Sequence, residues 1–131
     1  VLTRGGCAAE AVEAAIRVLE ADQTFNASLG ATLNTEGEVE LDAAIMDGSS
    51  LGWGAIAAVQ GVRHPISVAR KIMDEKPRLL VARGAERFAA DNKAEMCKKE
   101  DLIADEQWQE WKEEQEVRFA PQHCWLCGFG C

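Results

Sequence analysis

Four side chains that bind soft metals crowd into the last nine residues of the chain: His123, Cys124, Cys127 and Cys131. Thiolates and imidazoles this close together are the ligand types of zinc and iron–sulfur sites. A real site of that kind needs deprotonated thiolates and a supporting shell, whereas this run lies at a chain end after a charged segment. Asp42 and Asp47 are the next arrangement that invites chemistry, as an acid/base pair or a metal site. They belong to the alternating run VELDAAIMD, whose period of two puts them on opposite faces of a strand. That separation argues for structural roles. His64, directly before Pro65, reads as an exposed loop residue at a helix start.

The elements that must carry these groups follow from periodicity. Ala8, Val12, Ala15, Ile16 and Leu19 recur at helical spacing among Glu10, Glu13 and Arg17, which predicts an amphipathic helix over residues 8–20. The stretch ADQTFNASLGA has no period and reads as loop. Two strand-like runs flank Glu36-Gly37, a hairpin signal, and in the second run Val39, Leu41, Ala43 and Ile45 share one face. Asp47-Gly48 marks another turn, and the small apolar run GAIAAVQGV fits a strand packed closely under something. Pro65 opens a helix with the stripe Ile66, Ala69, Ile72 and Met73, which Pro77 stops. LLVA is a short strand, followed by a short helix over residues 84–91. Residues 95–116 hold nine acids against three lysines, with Trp108 and Trp111 at helical spacing. This segment reads as a solvated helix or linker with the tryptophans resting on the domain surface; a partner-binding helix is the alternative. The order of elements argues for an α+β fold, a mostly antiparallel sheet with helices on one face.

With 131 residues, 47% of them hydrophobic, the chain is one small globular domain. A net charge of −8 argues against nucleic acid or an anionic membrane as partner, since both polyanions would be repelled. Five cysteines, an odd number, give no disulfide framework and point to a reducing, cytoplasmic location. The chain opens at Val1 within a helical pattern, so a truncated N-terminus is expected.

In order and spacing, Phe25-Asn26-Ala27, the block ELDAAIMDG, the run GAIAAVQ and the helix HPISVARKIM resemble the α-subunit of the plant-type asparaginase and isoaspartyl peptidase family. The resemblance covers residues 5–92. It implies half of a four-layer αββα N-terminal nucleophile hydrolase, made as one precursor that cuts itself before a threonine. The hydroxyl of that threonine is the nucleophile and its freed α-amine, which titrates near neutrality, is the base. The threonine, its oxyanion hole and its substrate clamp belong to the β-subunit, so no catalytic residue is expected in this chain.

What carries over lies in the loop. Asn26 matches an asparagine that supports the active-site backbone near the nucleophile; stabilising the turn through its own side chain is the plainer role. By the resemblance, the main-chain carbonyls of Leu19, Glu20, Asp22, Phe25, Ala27 and Leu29 ring a structural sodium ion, and no other cofactor is implied. Ser28 departs from the family, which has Gly there, and at positive φ a serine would strain the loop by ~1 kcal/mol or more.

The cysteine tail has a second explanation. The family carries a cleavage run similar to TVGCVALD near this point. Encoded ACT GTT GGC TGT GTG GCT TTG GAT, followed by a codon beginning GT or GC, and read two bases on, that run becomes CWLCGFGC, the last eight residues here. A frameshift would thus have removed the threonine from the protein while leaving its codon in the gene. The organisation expected is an α-subunit-like core over residues 1–92, an acidic helical linker over 93–122 and a frameshifted tail over 123–131.

The implied activity is hydrolysis of the asparagine side-chain amide or of β-aspartyl peptide bonds, with asparagine or a dipeptide as substrate, and this chain inactive alone. Its expected partner is the β-subunit of the same precursor, in a dimer of αβ units. Two other readings stand beside it: a non-enzymatic module that docks a partner through an open sheet face and the Trp108/Trp111 segment, and a working subunit of a two-chain enzyme.

Overall fold

The computed structural model describes residues 1–119. His123, Cys124, Cys127 and Cys131 lie outside the described residues. The first helix, α1, spans Ala8–Glu20, the range read from the sequence, and Glu10 caps it by accepting the Cys7 N–H at 2.9 Å. Its inward face is rotated from the expected one. Val12 and Leu19 are exposed, while Ala9 and Glu20 are buried. The rotation has a physical reason: α1 meets the next helix through polar groups as well as apolar ones. Arg17 donates to Ser67 Oγ at 2.9 Å, and Ser67 Oγ donates to Glu13 Oε1 at 2.6 Å.

Three strands form the sheet, β1 (Leu41–Asp47), β2 (Gly52–Val59) and β3 (Leu79–Val81), in that order. β1 and β2 pair antiparallel across the Asp47 turn, and β3 joins β2 in parallel. The parallel pair is possible because α2 (Pro65–Ile72) crosses over between β2 and β3. A bulge opposite Asp42 leaves Ala58 at φ 52, and the Asp42 carboxylate accepts the freed Ala58 N–H at 2.7 Å. The Glu36-Gly37 turn forms, with Gly37 at φ 79, but its first flank is no strand. Asn34 accounts for this: its Oδ1 accepts the N–H groups of Glu36 and Glu38, and its carbonyl accepts the Gly37 N–H, so local bonds replace a ladder.

Among the described residues the packing is on one side of the sheet. Leu41, Ile45 and Ile56 face α2 and α3 (Arg83–Asp91), and together with Val68, Ile72, Ala85 and Ala89 they are buried. Gly54 is where helix and strand come closest: a Cβ there would stand 2.2 Å from the Ala69 carbonyl oxygen. The close packing expected of GAIAAVQGV is therefore real. On the other side Met46, Trp53, Leu79 and Val81 are exposed, and register puts Met46 beside Trp53 and Val81 beside Ala57.

Past Asn92 the chain returns to the core. Arg63 N–H donates to the Glu95 carbonyl, Cys97 N–H to that of Gly61, and Leu102 is fully buried in the main cluster. The last helix, α4 (Asp105–Phe119), opens on Asp105 and Glu106, acids suited to a helix N-terminus. Trp108 and Trp111 stack with centroids 5.0 Å apart and lie over Gly37, and Trp111 Nε1 donates to the Asn34 carbonyl at 2.9 Å. The tryptophans do rest on the domain surface. No helix among the described residues is long and apolar enough to cross a membrane.

Candidate functional site

Residues 21–31 run from the end of α1 toward the sheet and carry Asn26. The Asn26 carboxamide oxygen accepts the Thr32 N–H at 3.0 Å, which ties the two ends of the turn together. Around it lies a cavity of about 330 Å³ between α1, β1 and α2, lined by Asn26, Ser28, Glu20, Glu40, Asp42 and Ile66 among others. Asn26 is thus both a turn-former and a cavity residue.

Ser28 stands at φ 59, the left-handed conformation that its place in the loop suggests. It is buried, and its hydroxyl donates to the Arg63 carbonyl at 2.7 Å. A left-handed serine costs about 1–2 kcal/mol, and a buried hydrogen bond returns about 1 kcal/mol of that.

Of the six carbonyls implied for sodium, those of Leu19 and Glu20 close α1 and those of Asp22, Phe25, Ala27 and Leu29 fall in the loop that follows. Leu19 O accepts the Asp22 N–H, Glu20 O that of Leu29, Asp22 O that of Phe25, and Phe25 O that of Ala27. A carbonyl oxygen retains a second lone pair after one such bond, and neutral oxygen donors suit a hard cation. The donor set is chemically fit for sodium. The Asp22 carboxylate is occupied elsewhere: Thr24 N–H and hydroxyl donate to it and hold its pKa below the ordinary range.

His64 is not the exposed loop residue that its place before Pro65 suggests. It is buried at 8% exposure, with Nδ1 3.0 Å from Glu20 Oε2. Glu20 Oε1 accepts the Ile66 N–H at 2.9 Å. Burial pushes the Glu20 carboxyl up, and the Ile66 N–H and His64 pull it back. Sequence reading considered only the carbonyl of Glu20 and missed its side chain. The available signal was an acid four residues after Ile16, on the inward side of a helix. Glu95 stands 3.8 Å from His64 Nε2 and pairs with Arg17, whose hydrogen bond holds the Glu95 carboxyl low.

Asp42 and Asp47 are not brought together. Asp42 fills the bulge, while Asp47 accepts from Ser49 N–H and from the Ser49 and Ser50 hydroxyls at the β1–β2 turn. Both have the structural roles expected. Cys7 and Cys97 are free thiols, and burial pushes that of Cys97 up. Among the described residues no group of three His, Cys, Asp or Glu side chains is placed to hold a metal ion.

The loop, the bulged strand and the Pro65 helix are the segments that carried the resemblance, and comparison with known proteins finds the same relation. A family model described as Asparaginase (Asparaginase_2) matches residues 1–125. The isoaspartyl peptidase/L-asparaginase of Rattus norvegicus is 44% identical over 106 residues, covering 80% of this chain and 32% of the relative. That of Danio rerio is 38% identical over 131 residues, 99% of this chain and 42% of the relative. The plant-type L-asparaginase of Pyrococcus horikoshii is 46% identical over 111 residues, 84% of this chain and 35% of the relative. The chain therefore spans less than half the length of these relatives, and by the family match and these identities it belongs to the Asparaginase_2 family.

Proposed function

We propose that this chain supplies the α-subunit half of an isoaspartyl peptidase/L-asparaginase, and that the nucleophilic threonine comes from a β-subunit half. The observation that carries this reading is the sheet with one packed face and one open apolar face, bearing Met46, Trp53, Leu79 and Val81. A face of that kind is rarely left bare, because burying it is worth ~25 cal/mol per Å². In the proposed enzyme a second sheet covers it, completing the αββα layers, and two αβ units pair.

In that assembly the threonine hydroxyl loses its proton to the α-amine and attacks the side-chain carbonyl carbon of asparagine or of a β-aspartyl linkage. Ammonia or the free amine of the next residue leaves with that proton, and water then hydrolyses the acyl-threonine ester. This chain contributes Asn26, whose carboxamide supports the backbone near the nucleophile, and the carbonyls of Leu19, Glu20, Asp22, Phe25, Ala27 and Leu29, which would hold a structural sodium ion that steadies the loop. Trp108 and Trp111 cover the chain's own Gly37 turn, which leaves them poorly placed to serve a separate partner.

The chain's threonines, Thr3, Thr24, Thr32 and Thr35, all precede the sheet. We expect the 131-residue chain to release no ammonia from L-asparagine and no amine from β-aspartyl dipeptides, and turnover that follows this chain through repurification would overturn the proposal. The tail is read as the family cleavage run out of frame. Sequencing the gene past the Cys131 codon tests it: a TSTGG-like run in the alternative frame is expected, and no such coding sequence in any frame refutes it.

A further inference from the structure

Among the described residues the buried polar or charged ones are Glu20, Ser28 and His64, at 3%, 1% and 8% exposure. Each burial costs free energy unless its polar atoms are matched, so where a chain places such groups is informative. All three lie at one joint. Glu20 and Ser28 bracket the loop that carries Asn26, one at each end. Their side chains reach across to the same short segment at the start of α2: Ser28 Oγ donates to Arg63 O at 2.7 Å, Ile66 N–H donates to Glu20 Oε1 at 2.9 Å, and His64 Nδ1 pairs with Glu20 Oε2 at 3.0 Å. The partners are 35 to 46 residues apart in sequence, so local turn chemistry does not require these bonds.

We propose that Glu20, Ser28 and His64 are positioning residues that latch the Asn26 loop to the entry of α2 and so fix the Asn26 carboxamide in the cavity. The latch acts through Asn26 rather than on substrate. Its two anchors leave residues 21–27 as a short closed span, and within that span Asn26 holds the Thr32 N–H at 3.0 Å. Two of the latch residues, Glu20 and Ser28, line the same cavity as Asn26, together with Pro65 and Ile66 at the start of α2. Ser28 explains itself in these terms. A glycine would occupy φ 59 without strain but would offer no hydroxyl to Arg63.

The importance of Asn26 rests on the asparaginase reading, but the latch is tested without turnover, so the two fail separately. The test is amide hydrogen exchange on the full chain by NMR, reading Thr32 against Ala69, a fully buried residue of α2 that reports global opening. Glu20→Ala removes both carboxylate bonds and is expected to raise the Thr32-to-Ala69 exchange ratio roughly ten-fold. Glu20→Gln, which keeps an acceptor for Ile66 N–H and can donate to His64, is expected to restore the ratio to within about two-fold. Ser28→Gly relieves the positive φ, so it folds even where Glu20→Ala does not, and is expected to raise the ratio roughly five-fold. An unchanged ratio in Ser28→Gly, or Thr32 and Ala69 accelerating together in Glu20→Ala, would overturn the latch.

Discussion

The two faces of the sheet are built from the same three strands yet have opposite character. On one, Leu41, Ile45 and Ile56 are buried under α2 and α3, and Gly54 lets the α2 backbone approach to contact. On the other, Met46, Trp53, Leu79 and Val81 stand exposed beside alanines. Alternation along each strand creates both faces, so apolar content alone does not distinguish them. What distinguishes them is whether this chain supplies the cover. The covered face accounts for the fold, and the open one accounts for the proposed partner.

Substitutions in matched pairs should expose that difference. Ile72→Ala empties a fully buried site on the covered side and should cost about 2–5 kcal/mol by denaturant unfolding, while Leu79→Ala on the open face should stay within about 0.5 kcal/mol. If the two costs are equal, the open face is not open in solution. Gly54→Ala forces a methyl against the α2 backbone and should cost about 1–3 kcal/mol, whereas Gly48→Ala, with open space around it, should be close to neutral. The α4 clasp belongs to neither face: Trp111→Phe keeps the stack, loses the bond to Asn34 O, and should cost about 0.5–1.5 kcal/mol.

The smallest effect lies at the turn between β1 and β2. Hydrogen bonds from Ser49 and Ser50 hold the Asp47 carboxyl below the ordinary aspartate range. Its stabilisation is therefore fully present above that range and is lost as pH falls through the depressed folded value. Asp47→Asn should flatten the decline of melting temperature with acid in that window alone. A parallel decline in both proteins would show that the turn carries no linked proton.

How much of this was legible in the sequence depended on the range of the interaction. The extent of α1, the Pro65 start of α2 and the opposite placement of Asp42 and Asp47 follow from local period and came out as read. Gly54 was legible as a small residue needing a close neighbour. The Glu36-Gly37 flank misled because Asn34 satisfies the backbone locally, which strand patterning does not register. His64 misled for the opposite reason: its partner Glu20 is 44 residues away, and no period links them. The same holds for the inward face of α1, turned by contacts to Ser67 and His64. In the candidate site, Asn26 and the strained Ser28 came through family resemblance, and the joint that holds them needed coordinates.

The central claim is that the open face seats a half bearing an N-terminal threonine. Its most direct test is ammonia release from L-asparagine by an equimolar mixture of this chain and a β-subunit beginning with threonine, beside each component alone and beside Leu79→Glu. Neither component is expected to turn over alone, the mixture is expected to, and a charge placed on the open face is expected to abolish that turnover. Turnover by this chain alone, or a mixture indifferent to Leu79→Glu, would contradict it.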